Sequence, residues 1–344
     1  MDNLIEFLHA MNRVLWSPWT LGLILVVGFH LSIKTGWLQI FKVRQIWENT
    51  FGAMLKKETN PDGEGEISSF QALATAMSAC LGVGTIVGVA TAIATGGPGA
   101  IFWMWVAGFF AIATKYAELT LAVHFRKKNA KDEWVGGPMY YASHGLGKFG
   151  KVLAVIFSIS VPIAAVGIGN MVQANSVAEA LETAFNFPRI ITGLGLAVVV
   201  GAVTIGGVKK LGAFAGRFIP LTAIVLVVAC LSVLILNIGQ IPAAFVSIIS
   251  GAFTAQAATG GFLGATIATA IRMGVTRGIF SNEGGLGSAP IAHATATTNH
   301  PVKQGLWGAI EVFMDTHVMC TLVALVVLTT GAWQLTGANG TNLS

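Results

Sequence analysis

The run SSFQALATAMSACLGVGTIVGVATAIAT, residues 68–95, decides the fold class. It carries no charge and exceeds the roughly 20 residues that a helix needs to cross the bilayer core. Lipid offers no partner for backbone amides, so such a run must be helical. Its middle is interrupted by Gly82, Gly84 and Gly88 around Val83, Thr85 and Ile86. The rest of the chain has the same character. Of its 344 residues 54% are hydrophobic and only 10% charged, with a mean hydropathy of +0.73. A soluble domain carries about 25% charged residues, so this chain cannot cover a soluble surface of its size. The class that fits is an all-α polytopic membrane protein.

Eight segments are long and apolar enough to span, at about 14–35, 68–95, 98–124, 151–184, 189–208, 212–238, 241–271 and 305–331. The N-terminal MDNLIEFLHAMNR lacks a basic region and a small-residue cleavage site, so it does not read as a signal peptide. Residues 1–13 suit an amphipathic segment on the outer membrane surface, with Leu4, Ile5 and Leu8 against Asn3, Glu6 and His9. Basic residues fall in alternate connections: Lys34, Lys42, Arg44, Lys56 and Lys57; Arg126, Lys127, Lys128, Lys131, Lys148 and Lys151; Lys209, Lys210 and Arg217; Arg272, Arg277 and Lys303. The excess of basic charge marks the cytoplasmic side. The N-terminus is therefore expected outside, and the protein in the cell membrane.

A second run, 241–271, is expected to enter from outside and to break around Gly251, Thr254, Gln256, Thr259, Gly260, Gly261 and Gly264. Two glycine-interrupted spans running in opposite directions are the best sequence pointer to a transport site. A break frees amides at one half-helix end, which favour a carboxylate, and carbonyls at the other, which favour an ammonium or a small cation. If residues 68–238 form one five-helix repeat, with 14–35 an extra span, then 241–344 opens an inverted copy with two spans. About three C-terminal helices are then expected to be missing from the sequence.

Polar groups inside the membrane are costly and mark function by default. Asn170 and Gln173 share a face of the fourth span, where Pro162 and Gly167 predict a kink. Lys115 and Glu118 stand three residues apart and can pair. Glu311, Asp315 and His317 lie in the last span and suit a proton relay, a gate or a structural role. The segment 272–304 is too rich in Gly, Pro, Asn and His to span, and within it the stretch 281–301 fits a mobile inner gate. Its Asn282, Glu283 and His293 show no catalytic or metal-ligand spacing. No phosphate-binding GxxxxGK[ST] motif occurs, and no basic run with interleaved aromatics points to nucleic acid. Cys80, Cys230 and Cys320 read as small packing residues. An enzyme and a cofactor are not expected, and no obligatory protein partner is evident.

Six strings together resemble one family: GGPGAIFWMW (96–105), ATKYAE (113–118), GGPMYY (136–141), GNMVQANS (169–176), AATGGF (257–262) and SNEGGLGSAPIAHA (281–294). The chain resembles the alanine or glycine:cation symporters, the sodium:alanine symporter family. The resemblance implies an amino-acid–polyamine–organocation fold of two inverted five-helix repeats, the second incomplete here. It also implies sodium-coupled uptake of small neutral amino acids such as alanine and glycine. Position 85 is Thr where many members carry Asn.

The expected mechanism is alternating access. The solute carboxylate meets amides around Val83, Gly84 and Thr85. Its ammonium meets Thr254, Gln256 and Thr259, with Asn170 or Gln173 beside them. By analogy with the fold, a sodium ion takes carbonyls near Ser78 and Leu81. The alternatives are a proton-coupled permease of the same fold and, from another class, a channel.

Overall fold

The computed structural model describes Glu6, Met11 and residues 14–56, 63–82, 84–254 and 267–334. The expected surface segment 1–13 therefore lies almost wholly outside the described residues, as do Val83, Gln256, Thr259, Gly260, Gly261 and Gly264. What is described is helical, apart from one hairpin of two-residue strands, β1 (Lys127–Lys128) and β2 (Trp134–Val135).

The first span is α1 (Pro18–Lys34). Ser17 caps it and Pro18, which has no amide to leave unsatisfied, opens it. Three short helices follow, α2 (Leu38–Phe41), α3 (Val43–Asn49) and α4 (Phe51–Leu55). The decisive run divides as its glycines require. Helix α5 (Ser69–Cys80) starts on a capping box, Gln71 N–H to Ser68 Oγ at 3.1 Å and Ser68 N–H to Gln71 Oε1 at 2.9 Å. It stops at Leu81, and α6 (Ile86–Gly96) resumes the crossing.

Helix α7 (Gly99–His124) is the post around which the interior is built. At 26 residues it is about 39 Å long. Beyond the hairpin come α8 (Pro138–Gly145) and a long apolar helix in two pieces, α9 (Gly147–Ala164) and α10 (Val172–Phe185). The expected kink appears between them as a widened π turn, Ala165–Met171, just after Pro162 removes a backbone donor. Then follow α11 (Arg189–Thr204) and α12 (Gly207–Leu236).

Of the expected seventh span, 241–271, residues 255–266 lie outside the described residues, and the flanking helices are separate. Helix α13 (Ile241–Phe253) has 13 residues and a length of about 20 Å, too short for a membrane. It lies across the first turns of α7. Phe245 packs on Trp105, the Trp103 indole N–H donates to the Ala252 carbonyl at 3.1 Å, and Gly251 is helical, its carbonyl so close to Gly99 that any side chain there would overlap it. The next described helix is α14 (Ile267–Asn282). It begins with Ala270 beside Gly96 and runs along α7, Gly274 against Ala100, Gly278 against Met104 and Ala107. Residues 272–282, expected as loop, are thus helix, and Arg272 and Arg277 belong to α14 and not to a basic connection.

After α14 the backbone breaks at residues 283–288, with positive φ at Glu283, Gly285 and Gly287. Gly284 lies against Ala111 of α7. A short α15 (Ala289–His293) continues, and Ala296 and Thr298 bridge to Ile67 and Glu64 before α5. The last span is α16 (Pro301–Val312), a π turn Phe313–Met319 and α17 (Cys320–Thr329). It runs antiparallel to α7, with Gly305 and Gly308 on Tyr116, Leu119 and Lys115, and Thr316 on Gly108.

Burial separates two groups of helices. In their most apolar windows, α7 and the α16–α17 span bury 56% and 61% of residues, whereas α9–α10 and α12 bury 6% and 17%. The exposed side chains on the latter, such as Ile156, Ile163, Ile224 and Val228, are apolar, as a lipid-facing surface demands. The three cysteines are buried and unbridged, as expected of packing residues.

Candidate functional site

The break at residues 81–85 and the break at 283–288 meet side by side. A Cβ on Gly84 would lie 3.5 Å from Ser281 Cα and 3.6 Å from the Phe280 carbonyl oxygen, so α5–α6 and α14–α15 touch where each loses its helix. The direction is opposite in the two: α6 leads from the break to Gly96, and α14 leads from beside Gly96 back to the break. The start of α6 and the end of α14 thus bring an amide-rich and a carbonyl-rich terminus to one place.

A fully buried carboxylate, Asp315, joins them. The π turn carries it into the junction, where Thr85 Oγ1 donates to Oδ1 at 2.8 Å and Ser281 Oγ donates to Oδ2 at 2.7 Å. Thr316 Oγ1 adds a third donor at 3.2 Å. Thr85 Oγ1 also lies 2.9 Å from the Cys80 carbonyl, the last residue of α5. One carboxylate therefore holds the start of α6, the end of α14 and the end of α5. Its hydrogen-bond partners are three hydroxyl oxygens, the donor type that hard cations take, with the Cys320 thiol behind them at 3.3 Å from Ser281 Oγ. Among the described residues no cluster of His, Cys, Asp and Glu suits a transition metal.

A second buried knot lies seven residues further along α7, about 10 Å by helical rise. Lys115 Nζ is 3.0 Å from Glu311 Oε1 and donates to the Asn282 carbonyl at 2.9 Å. His293 Nε2 stands 3.4 Å from Glu311 Oε2, and Gln304 Nε2 lies 2.6 Å from His293 Nδ1. Lys115, Glu311, His293 and Gln304 are all fully buried. Asn282 connects the two knots, its carbonyl on Lys115 and its amide donating to Thr316 Oγ1 at 3.1 Å. Lys115 thus pairs with Glu311 and not with Glu118, which accepts the Gly285 amide at 3.2 Å. His293, which showed no partner in sequence, sits in this knot.

The site residues expected from sequence are distributed unevenly. Gly84 and Thr85 form the first break, and Leu81 opens it with an extended ψ of 91°. Gln173 reaches it: a Cβ on Gly82 would lie 3.3 Å from Gln173 Oε1. Asn170 is exposed on the π turn. Ser78 is exposed on α5, its hydroxyl donating to the Thr75 carbonyl at 2.6 Å. Thr254 is not brought to this junction. It ends α13 beside the start of α7, and its hydroxyl returns to the Ser250 carbonyl at 2.7 Å.

The sequence profile of the sodium:alanine symporter family matches residues 1–344, the whole chain. The chain belongs to the sodium:alanine symporter family. It is 45% identical to a sodium/alanine symporter, AgcS, of Methanococcus maripaludis over 99% of this chain and 75% of that protein. It is 42% identical to the transporter YflA of Bacillus subtilis, over 99% of this chain and 71% of that one. A probable sodium/glutamine symporter, GlnT, of Bacillus subtilis is 38% identical over 100% of this chain and 70% of its own. These matches run through nearly every residue of this chain, which spans 70–75% of the length of those relatives. The family is one of membrane transporters, not enzymes, with several apolar helices, and that much holds for this member.

Within this symporter the sequence reading missed Ser281, Thr316 and the break at 283–288. The signal was present in SNEGGLGS, where three glycines follow a run able to form a helix. Its mix of helix breakers and small residues, with no catalytic or metal-ligand spacing, suits a gate equally well.

Proposed function

We propose that this protein is a sodium-coupled symporter of small neutral amino acids, alanine and glycine foremost, working by alternating access with its basic end toward the cytoplasm. One observation carries the reading: two antiparallel helix breaks meet at one buried carboxylate. The solute carboxylate is assigned to the amides of Val83, Gly84 and Thr85 at the positive start of α6. Its ammonium is assigned to the carbonyls of Phe280 and Ser281 at the negative end of α14, which take the role expected of Thr254, Gln256 and Thr259. Gln173 closes the side next to Gly82.

The cation is assigned to Asp315, with the hydroxyls of Thr85 and Ser281 beside it. The Cys80 carbonyl, 2.9 Å from Thr85 Oγ1, is the main-chain acceptor beside them, and the carbonyls of Ser78 and Leu81 are assigned by analogy with the fold. A cation there releases both hydroxyls from the carboxylate and reorients the two breaks, which is the differential contact that coupling requires. The names of the relatives support both cargoes, since AgcS is named for sodium and alanine and GlnT for sodium and glutamine.

The test is uptake of labelled alanine by reconstituted protein, with sodium replaced by choline at fixed pH. Uptake should require sodium, and Asp315→Asn should raise the sodium concentration for half-maximal uptake at least tenfold. Uptake unchanged in choline removes sodium; a response to a pH gradient alone then favours proton coupling through the Glu311 knot. Conductance without saturable exchange favours a channel.

A further inference from the structure

Outside the helix junction the structure holds a second polar cavity, at the end of the molecule where the basic residues gather. That end is fixed by contacts: Arg126 after α7 donates to the carbonyls of Glu64, Ala294 and Ala296, and Lys209 pairs with Glu66 at 2.8 Å. Helix α1 advances in the same sense as α7, Leu21 beside Ala107 and Gly28 on Phe110, so Lys34 finishes at the same end.

The cavity has a volume of about 440 Å³ and is lined by Lys34, Thr35, Lys42, Gln45, Tyr116 and Leu306, among others. This is within the range of pockets that hold small ligands. Its walls are built, not incidental. Gly36 and Trp37 both take positive φ, at 68° and 52°, and this double left-handed turn folds α2 and α3 back against α7. The fold-back brings the Lys42 ammonium to 3.8 Å from where a Gly36 side chain would begin. Gln39 Nε2 donates to Ser32 Oγ at 2.7 Å and locks the turn, while Leu38, 1% exposed, packs with Ile46, Ile112 and Leu306 beneath it.

Two cations flank this cavity, and among the described residues neither has a carboxylate within ion-pair distance; Arg44 beside them is already paired with Glu48. Their surroundings are apolar and outward-facing: Ile33, Ile40, Phe41 and Val43 are each at least half exposed. A polar, basic hollow opening onto apolar surface matches a molecule with an anionic head and hydrocarbon tails. Two shallower hollows at the same end repeat the pattern, Lys127 and Lys151 beside Val155 and Ile159, and Lys210 and Arg217 beside Phe214 and Phe218.

We infer that the cavity between α1, α2 and α7 is a binding site for the headgroup of an anionic phospholipid. Lys34 and Lys42 hold the phosphate, Thr35 and Gln45 take the glycerol hydroxyls, and the acyl chains lie along Ile33, Ile40 and Phe41. Basic pockets between spanning helices are suited to such headgroups, and each ammonium near the surface contributes a modest, additive attraction. Because its floor is Tyr116 and Leu306, an occupied site braces α1 against the two helices that carry Lys115 and Glu311.

The test follows the thermal unfolding midpoint of the purified protein in dodecyl maltoside micelles as dioleoyl phosphatidylglycerol, dioleoyl phosphatidylcholine or sn-glycerol 3-phosphate is added. Phosphatidylglycerol should raise the midpoint saturably and phosphatidylcholine should not. K34Q/K42Q should bind phosphatidylglycerol about 30-fold more weakly, and K42Q alone about fivefold. K131Q/K148Q, which removes two charges at the same end outside the cavity, should stay within twofold of the native protein. Equal weakening in both double variants would replace the site by a diffuse field. Equal stabilisation by phosphatidylcholine, full stabilisation by glycerol phosphate alone, or unchanged affinity in K42Q and K34Q/K42Q would each overturn the assignment.

Discussion

Removal of one charge from the Lys115–Glu311 pair tests whether the interior is held by electrostatics. The charged atoms are 3.0 Å apart and fully buried. At an effective dielectric of about 20, unit charges at that distance attract by about 5.5 kcal/mol. Glu311→Gln leaves the ammonium facing only neutral acceptors, the Asn282 carbonyl and the new amide oxygen, while the cost of holding it away from water remains. Breaking such a pair from one side costs about 3–5 kcal/mol. Lys115→Met should cost about 3 kcal/mol, because Glu311 keeps the His293 ring nitrogen at 3.4 Å as a polar neighbour. The double variant K115M/E311L removes both charges. It strips the Asn282 carbonyl of its ammonium donor and leaves His293 with Gln304 alone, at about 1–3 kcal/mol together, but leaves no orphaned charge. We expect it to be at least about 2 kcal/mol better than the sum of the singles. Sodium dodecyl sulfate titration in mixed micelles, followed by tryptophan fluorescence, gives the four free energies. Additive losses, or a single variant within about 1 kcal/mol of the native protein, would refute the reasoning.

Other substitutions examine the junction and its supports. Ser281→Ala removes one of three hydroxyl donors to Asp315 and should weaken sodium activation of uptake by about tenfold, roughly 1.4 kcal/mol, while Thr85→Ser keeps its donor and should lose less than threefold. Gly274→Val places a side chain where α14 meets the Ala100 carbonyl; it should cost 3 kcal/mol or more by overpacking and abolish folded protein on size exclusion, whereas Gly193→Ala on the open face of α11 should be silent. Lys209 holds the Glu66 carboxyl below its usual range. Since the folded value is the lower one, the pair stabilises fully above the ordinary carboxylate pKa of about 4.3 and fades as pH falls through the depressed value. Protection of the Thr297 amide, which donates to the Ile67 carbonyl at 2.7 Å, should therefore fall below about pH 4 and stay flat from pH 5 to 8.

Much of this protein was legible without coordinates. The length and apolarity of 98–124, 151–184 and 212–238 correspond to α7, α9–α10 and α12, because a membrane span is a local property of some 20 residues. Gly82 and Gly84 marked the end of α5 for the same reason: a weak helical stretch between strong ones parts where it is weakest. Pro162 foretold the π turn that follows it. What misled was 241–271, read as one span, whereas α13 ends at Phe253 and α14 begins only at Ile267.

The chain's composition settled that it lives in lipid, and its motifs settled its family. Both depend on residues taken in order. Tertiary structure alone decided that Ser281 and not Thr254 stands beside Thr85, that Lys115 answers Glu311 across helices rather than Glu118 along one, and that Asp315 serves both breaks. The reason is depth. Which polar groups meet in a membrane depends on the height each helix brings them to, and that height follows from how α13 lies across the start of α7 and where α14 begins its descent.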